Sequence, residues 1–225
     1  MSAADAARGS TSVARGVVLQ LTRVEMRMLL RHPVMISAVV LSVLAMAGYI
    51  PPAISMSAAA LLACHLCASR DVRHGTDEHV RSLPGPRRSQ TLSHLLSIGT
   101  ALSITAVLSV PYLWILATRS LEDVRPDELL TPAVAVALFF HGLSRVALLG
   151  ALGVLLGRWI PTPLAGPVAV VVTLVLSSFP LSPLSLFPDE DIVTKTVAML
   201  GLATASGVLA LLVGSRRMLG ATARV

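Results

Sequence analysis

Arg145 stands in the middle of a long apolar run, with His141 four residues earlier, one turn away on the same helical face. A guanidinium at mid-bilayer costs about 2.5–3.5 kcal/mol on insertion scales, so an arginine there faces a bundle interior or a wet cavity. No Asp or Glu lies inside any apolar run to pair with it. A backbone carbonyl, His141, water or a lipid phosphate must serve instead. His141 and Arg145 are therefore candidates for a translocation path or a lipid-headgroup contact. The plainer alternative is a structural arginine that snorkels or bonds span-end carbonyls.

Other residue patterns carry less chemistry. Cys64-His65-Leu66-Cys67 has the look of a metal or redox pair. A structural zinc site needs four ligands, however, and a thioredoxin-like pair needs its strand–helix setting. No metal or cofactor is expected in this chain. No Gly-x-Ser-x-Gly elbow and no His-Glu-x-x-His zinc-protease motif occurs, and no histidine and acid share an apolar run. An intramembrane lipid-processing enzyme is thus disfavoured, and the chain reads as a non-enzyme. There is no Gly-x-x-x-x-Gly-Lys-Ser/Thr phosphate loop either.

The elements that must position these residues follow from composition. Of 225 residues, 54% are hydrophobic and only 13% charged, against about 25% charged in soluble domains. Mean hydropathy is +0.77. The solvent of such a chain is mostly lipid, and its structural unit is the span of about 20 residues. The expected fold is all-α: a polytopic membrane protein of about six transmembrane helices behind an amphipathic interfacial helix. Residues 1–12 read as a disordered tail. Residues 13–32 place Val17, Leu21, Val24 and Met28 on one helical face and Gln20, Arg23, Arg27 and Arg31 on another, the pattern of a helix lying in the membrane interface. Residues 33–215 form the transmembrane domain, with spans at about 34–50, 53–69, 92–118, 132–157, 164–179 and 196–214. The first two are short and joined through Pro51-Pro52, which leaves a re-entrant pair as the alternative to two spans. Residues 216–225 form a basic tail.

Charge assigns the sides. The net charge is +6. With six spans, fourteen arginines fall on one side: in the N-terminal segment, in the link after span two, at Arg158 and in the C-terminal tail. The other side holds Arg119, Arg125, Lys195 and seven of the twelve acids. This asymmetry predicts both termini in the cytoplasm and explains the basic excess without a nucleic-acid partner. Tyr49, Tyr112, Trp114 and Trp159 fall near span ends, where aromatic belts form. Gly153 and Gly157 make a small-xxx-small pair, expected to pack inside the bundle; Gly201, Ala203, Gly207 and Gly214 of the last span are read the same way.

The link between spans two and three has its own signals. Thr76 is a good N-cap, Asp77 and Glu78 suit a first helical turn, and Pro84 and Pro86 end what precedes them. A short helix over 77–83 is predicted, either a solvated loop segment or a docking surface.

The string RDVRHGTDEHVRSLPGPRRSQTLSHLL (70–96) resembles the segment between spans two and three of bacterial type-2 ABC permeases. MRMLLRHP (26–33) is similar to that family's interfacial helix entering span one, and LLGALGVLLGRWIPTPLAGP (148–167) to its Gly-rich fourth span. The resemblance implies one membrane half of an exporter in the bacterial cell membrane. A second permease copy or related half would pair with it. A separate cytoplasmic subunit would bind ATP and magnesium and hydrolyse the nucleotide. By position, Thr76, Asp77, Glu78 and Arg81 would be the partner-coupling residues, joined by Arg27 and Arg31. The link over 180–194 is short for the outer helices often seen in this family. The alternative is a structural or regulatory membrane protein without transport activity.

Overall fold

The computed structural model describes residues 3–48, 50–73, 89–123, 131–179, 184 and 192–221. They form seven α-helices, with no strand among them: α1 (Ala3–Arg31), α2 (Pro33–Met46), α3 (Pro52–Arg73), α4 (Ser89–Asp123), α5 (Pro132–Trp159), α6 (Ala165–Ser177) and α7 (Ile192–Ala221).

Proline and capping residues set the boundaries. Pro33 has no N–H to continue α1, so the chain breaks there. His32 Nδ1 accepts from Val34 N at 3.3 Å and caps α2, and the axis turns by 55° between 16–31 and 33–46. Thr131 Oγ1 accepts from Val134 N at 3.3 Å, with Pro132 in the first helical turn, where a missing N–H costs nothing. α1 begins at Ala3, ten residues upstream of the expected start. Ala3, Ala4, Ala6 and Ala7 are the strongest helix formers and extend it. α7 likewise continues to Ala221, into the expected tail.

Among the described residues, four helical segments are long and apolar enough to cross a membrane: 52–70, 90–118, 132–159 and 192–213. The bent pair 16–31 and 33–46 makes a fifth if taken as one broken span. Four or five of the six expected spans therefore meet the length and composition of a full crossing among the described residues. α2 has 14 residues and α6 has 13, about 21 and 20 Å of helix, short of a hydrocarbon core of about 30 Å. The apolar runs were longer than the helices because prolines and their flanking residues clip both ends.

The distribution of side chains is that of a protein dissolved in lipid. α2 exposes Ile36, Val40, Leu41 and Leu44, α6 exposes Val168, Val171 and Val175, and α7 exposes Val193, Val197 and Leu209. The buried set is rich in hydroxyls, which bond helix carbonyls: Ser42 to Ala38 O at 2.7 Å, Ser97 to His94 O at 2.8 Å and Thr105 to Ala101 O at 2.7 Å. Local bonding satisfies these groups without water.

α3 is the central helix, and its largest contact is with α5. The two run parallel, since Gly142 meets Ala53, Gly153 meets Leu61 and Gly157 meets His65 and Ala68 in sequence order. A Cβ on Gly153 would collide with the Leu61 carbonyl, and one on Gly157 would sit 2.7 Å from His65 O. The two glycines therefore bring α5 onto the α3 backbone, as the small-residue spacing predicts. In α7 the expectation fails at Gly201 and Gly207, while Ala203 packs against the buried cluster of Leu61, Leu149 and Met199. Gly201 meets nothing within 4 Å, and Gly207 has only ordinary contact with Leu95.

Candidate functional site

Arg145 is 2% exposed and holds three helices and a link together. Its Nε donates to Ser57 Oγ of α3 at 3.3 Å, its Nη2 to Ser177 Oγ of α6 at 2.7 Å, and its Nη1 to the Leu184 carbonyl at 2.6 Å. Both hydroxyls turn their own protons the other way. Ser57 donates to Ile54 O at 2.9 Å and Ser177 to Thr173 O at 2.6 Å, so each presents a lone pair to the guanidinium. Ser177 is the last residue of α6, whose C-terminal end carries about half a negative charge and favours a cation. Among the described residues no carboxylate pairs with Arg145. Of the partners foreseen from sequence, the backbone carbonyl is the one found; the two serines were not singled out among the scattered hydroxyls.

Arg145 and His141 are brought together on one cavity, of about 60 Å³. Pro51–Ile54 at the start of α3, Ser109, Tyr112 and Leu113 of α4, and Leu138 and Phe139 of α5 complete its wall. His141 is half-buried, with Thr196 Oγ1 of α7 3.4 Å from its Nδ1. Tyr112, read from sequence as a belt residue, is instead buried in this wall. Trp114 and Trp159 are exposed, as belt residues are. Tyr49 lies outside the described residues.

A second polar node ties α1 to the bundle. His94 Nδ1 of α4 lies 3.3 Å from Glu25 Oε2 of α1, with the side chains 2% and 12% exposed. Glu25 shares a buried face with Thr22 and Leu29, and half-buried Leu21 adjoins it. The face of α1 that docks on the bundle is therefore a different one from the expected apolar stripe. Val24 and Met28 point outward with exposures of 53% and 37%, as a stripe that faces lipid does, while Thr22, Glu25 and Leu29 hold the docked side. Arg27 and Arg31 are exposed on α1. Sequence reasoning missed this pair, although Glu25 is the sole acid between Asp5 and Asp71 and sits across the helical wheel from the arginines.

Thr76, Asp77, Glu78 and Arg81 lie outside the described residues. The segment that holds them leaves α3 at Arg73 and enters α4 at Ser89, five residues before His94. Cys64 and Cys67 are buried in the α3 core and form no disulfide, and His65 Nε2 is 3.0 Å from Thr162 O. Among the described residues no three His, Cys, Asp or Glu side chains converge as metal ligands.

No family model matches the chain, and neither a curated protein nor a solved structure shows significant similarity to it.

Proposed function

We propose that the chain is the membrane-spanning permease subunit of an ATP-driven exporter, working with a separate cytoplasmic ATPase and a second permease half. The observation that carries this reading is the buried Glu25–His94 contact. It ties the amphipathic helix α1 to the first turns of α4, the helix that the 74–88 segment feeds directly. A partner pressing on Asp77 and Glu78 would therefore move α4 and α1 as one lever.

In this reading the chain crosses the bacterial cell membrane six times with both termini inside, α2 and α6 being short spans. The alternation of helix direction supports it. Ser42 near the end of α2 meets Ser55 near the start of α3 at 2.6 Å, so those two run antiparallel, while α3 and α5 run parallel. ATP closure of the partner shifts a two-state bundle toward an outward-open form, and the bundle supplies no chemistry of its own. ATP and magnesium belong to the partner.

Co-purification tests the reading. The tagged chain is expressed in mild detergent extracts together with any ATPase encoded beside it. A stoichiometric ATPase on the tagged chain is the expected result. A folded chain that recruits none favours a structural or regulatory membrane protein.

A further inference from the structure

The cavity beside Arg145 has a charge that its own walls do not balance. Arg145 carries a full positive charge, and its partners among the described residues are two hydroxyls and a carbonyl. The C-terminal end of α6 offsets about half of that charge. The opposite contribution comes from α3, whose N-terminal residues Pro52–Ile54 form part of the cavity wall and bring about half a positive charge to it. His141 and Tyr112 add polar side chains to the wall, and none of the lining residues is an acid. A cationic pocket in a low-dielectric bundle is a site for an anion. The pocket is small, about 60 Å³, enough for one compact headgroup or a few waters. The rest of the wall is apolar, with Leu113, Leu138 and Phe139, and the exposed ring of Phe140 packs edge-on against Phe139, 5.5 Å between centroids.

We propose that this cavity binds a single anionic group, a carboxylate or phosphate, carried on an amphiphile whose tail lies against the apolar wall. This deepens the exporter reading by naming the charge of its cargo, and it rests on that reading only for the word cargo. The binding itself belongs to this chain alone.

The test is a binding assay on the purified full chain in nanodiscs of zwitterionic lipid, without any ATPase. Radiolabelled dodecyl phosphate is the probe, and dodecanoate, dodecanol and inorganic phosphate are the competitors. Saturable binding displaced by dodecanoate, with dodecanol at least tenfold weaker, is expected. Weak competition by inorganic phosphate assigns the site to an amphiphile headgroup. Competition by phosphate as strong as by dodecanoate would keep an anion site but overturn the amphiphile. Arg145→Lys should weaken binding about tenfold by losing the planar fork. Ser109→Leu, which fills the cavity from α4 and leaves the bonds of Arg145 in place, should weaken it at least as much and covers the case in which Arg145 variants do not fold. Dodecanol competing equally with dodecanoate, or undiminished binding in Ser109→Leu, overturns the proposal. Binding without a partner ATPase would retain the site and reject the exporter; a partner ATPase without binding would do the reverse.

Discussion

Glu25 and His94 meet across 3.3 Å in a buried contact between α1 and α4. One sits on a helix that also carries exposed Arg23, Arg27 and Arg31, and the other on a helix entered directly from the segment that holds Asp77 and Glu78. The pair makes an outlying amphipathic helix part of the bundle's mechanics.

Removing one partner tests that tie. Glu25→Ala should lower stability by about 1.5–3 kcal/mol, the range for a hydrogen bond to a charged group, read as thermal unfolding in detergent. The exchange Glu25→His with His94→Glu should recover most of the loss. Equal destabilisation in the single and exchanged variants would show that packing, and not the pairing, matters there.

Arg145 should act as the clamp on the link after α6. Ser57 and Ser177 keep their own carbonyl bonds if the guanidinium is lost, whereas the Leu184 carbonyl loses the 2.6 Å donor. Arg145→Met is therefore expected to free the link to limited proteolysis near Leu184, while Ser177→Ala leaves it protected. Identical cleavage patterns in the two variants would contradict the clamp.

The glycines of α5 and α7 give a paired prediction. Gly153→Ala drives a methyl into the Leu61 backbone and should cost about 1–3 kcal/mol. Gly201→Ala meets open space and should be neutral, or stabilising by up to about 1 kcal/mol. Thermal unfolding of both variants under one set of conditions decides it.

The bend between α1 and α2 should loosen in acid. Burial holds the His32 imidazole below its ordinary value, and its Nδ1 must be unprotonated to accept from Val34 N. A group whose folded value is depressed in this way contributes stability above its unfolded value. That stability is lost as pH falls through the ordinary imidazole range. His32→Asn keeps a capping oxygen and cannot titrate, so it should flatten the pH dependence of unfolding between about pH 7.5 and 5. An unchanged slope would remove His32 from the account.

Much of the architecture was legible because lipid exposure leaves a plain mark. The apolar runs gave the helices α2 to α7, and Pro33, Pro51-Pro52 and Pro132 gave their starts. The small-residue spacing of Gly153 and Gly157 gave the α3–α5 contact. Length was misread where a run extends past its helix, as at Ile50 and Phe179. What sequence could not give was partnership. Nothing in the sequence separates one scattered serine from another as a partner of Arg145, and only the crossing of α3, α5 and α6 selects Ser57 and Ser177. Glu25 looked like one more charge on a basic helix until the docking of α4 turned it inward.

The most direct test of the account is outward export driven by ATP in cells expressing the chain with its ATPase, comparing the parent with Asp77→Arg/Glu78→Arg. Surface accessibility of a tagged terminus and unfolding temperature control for insertion and folding. The account predicts that the double variant inserts and folds normally, loses the ATPase on purification and exports nothing above the ATPase-free background. Export at the parent's rate in that variant would contradict the coupling role of the 74–88 segment and, with it, the lever from α4 to α1.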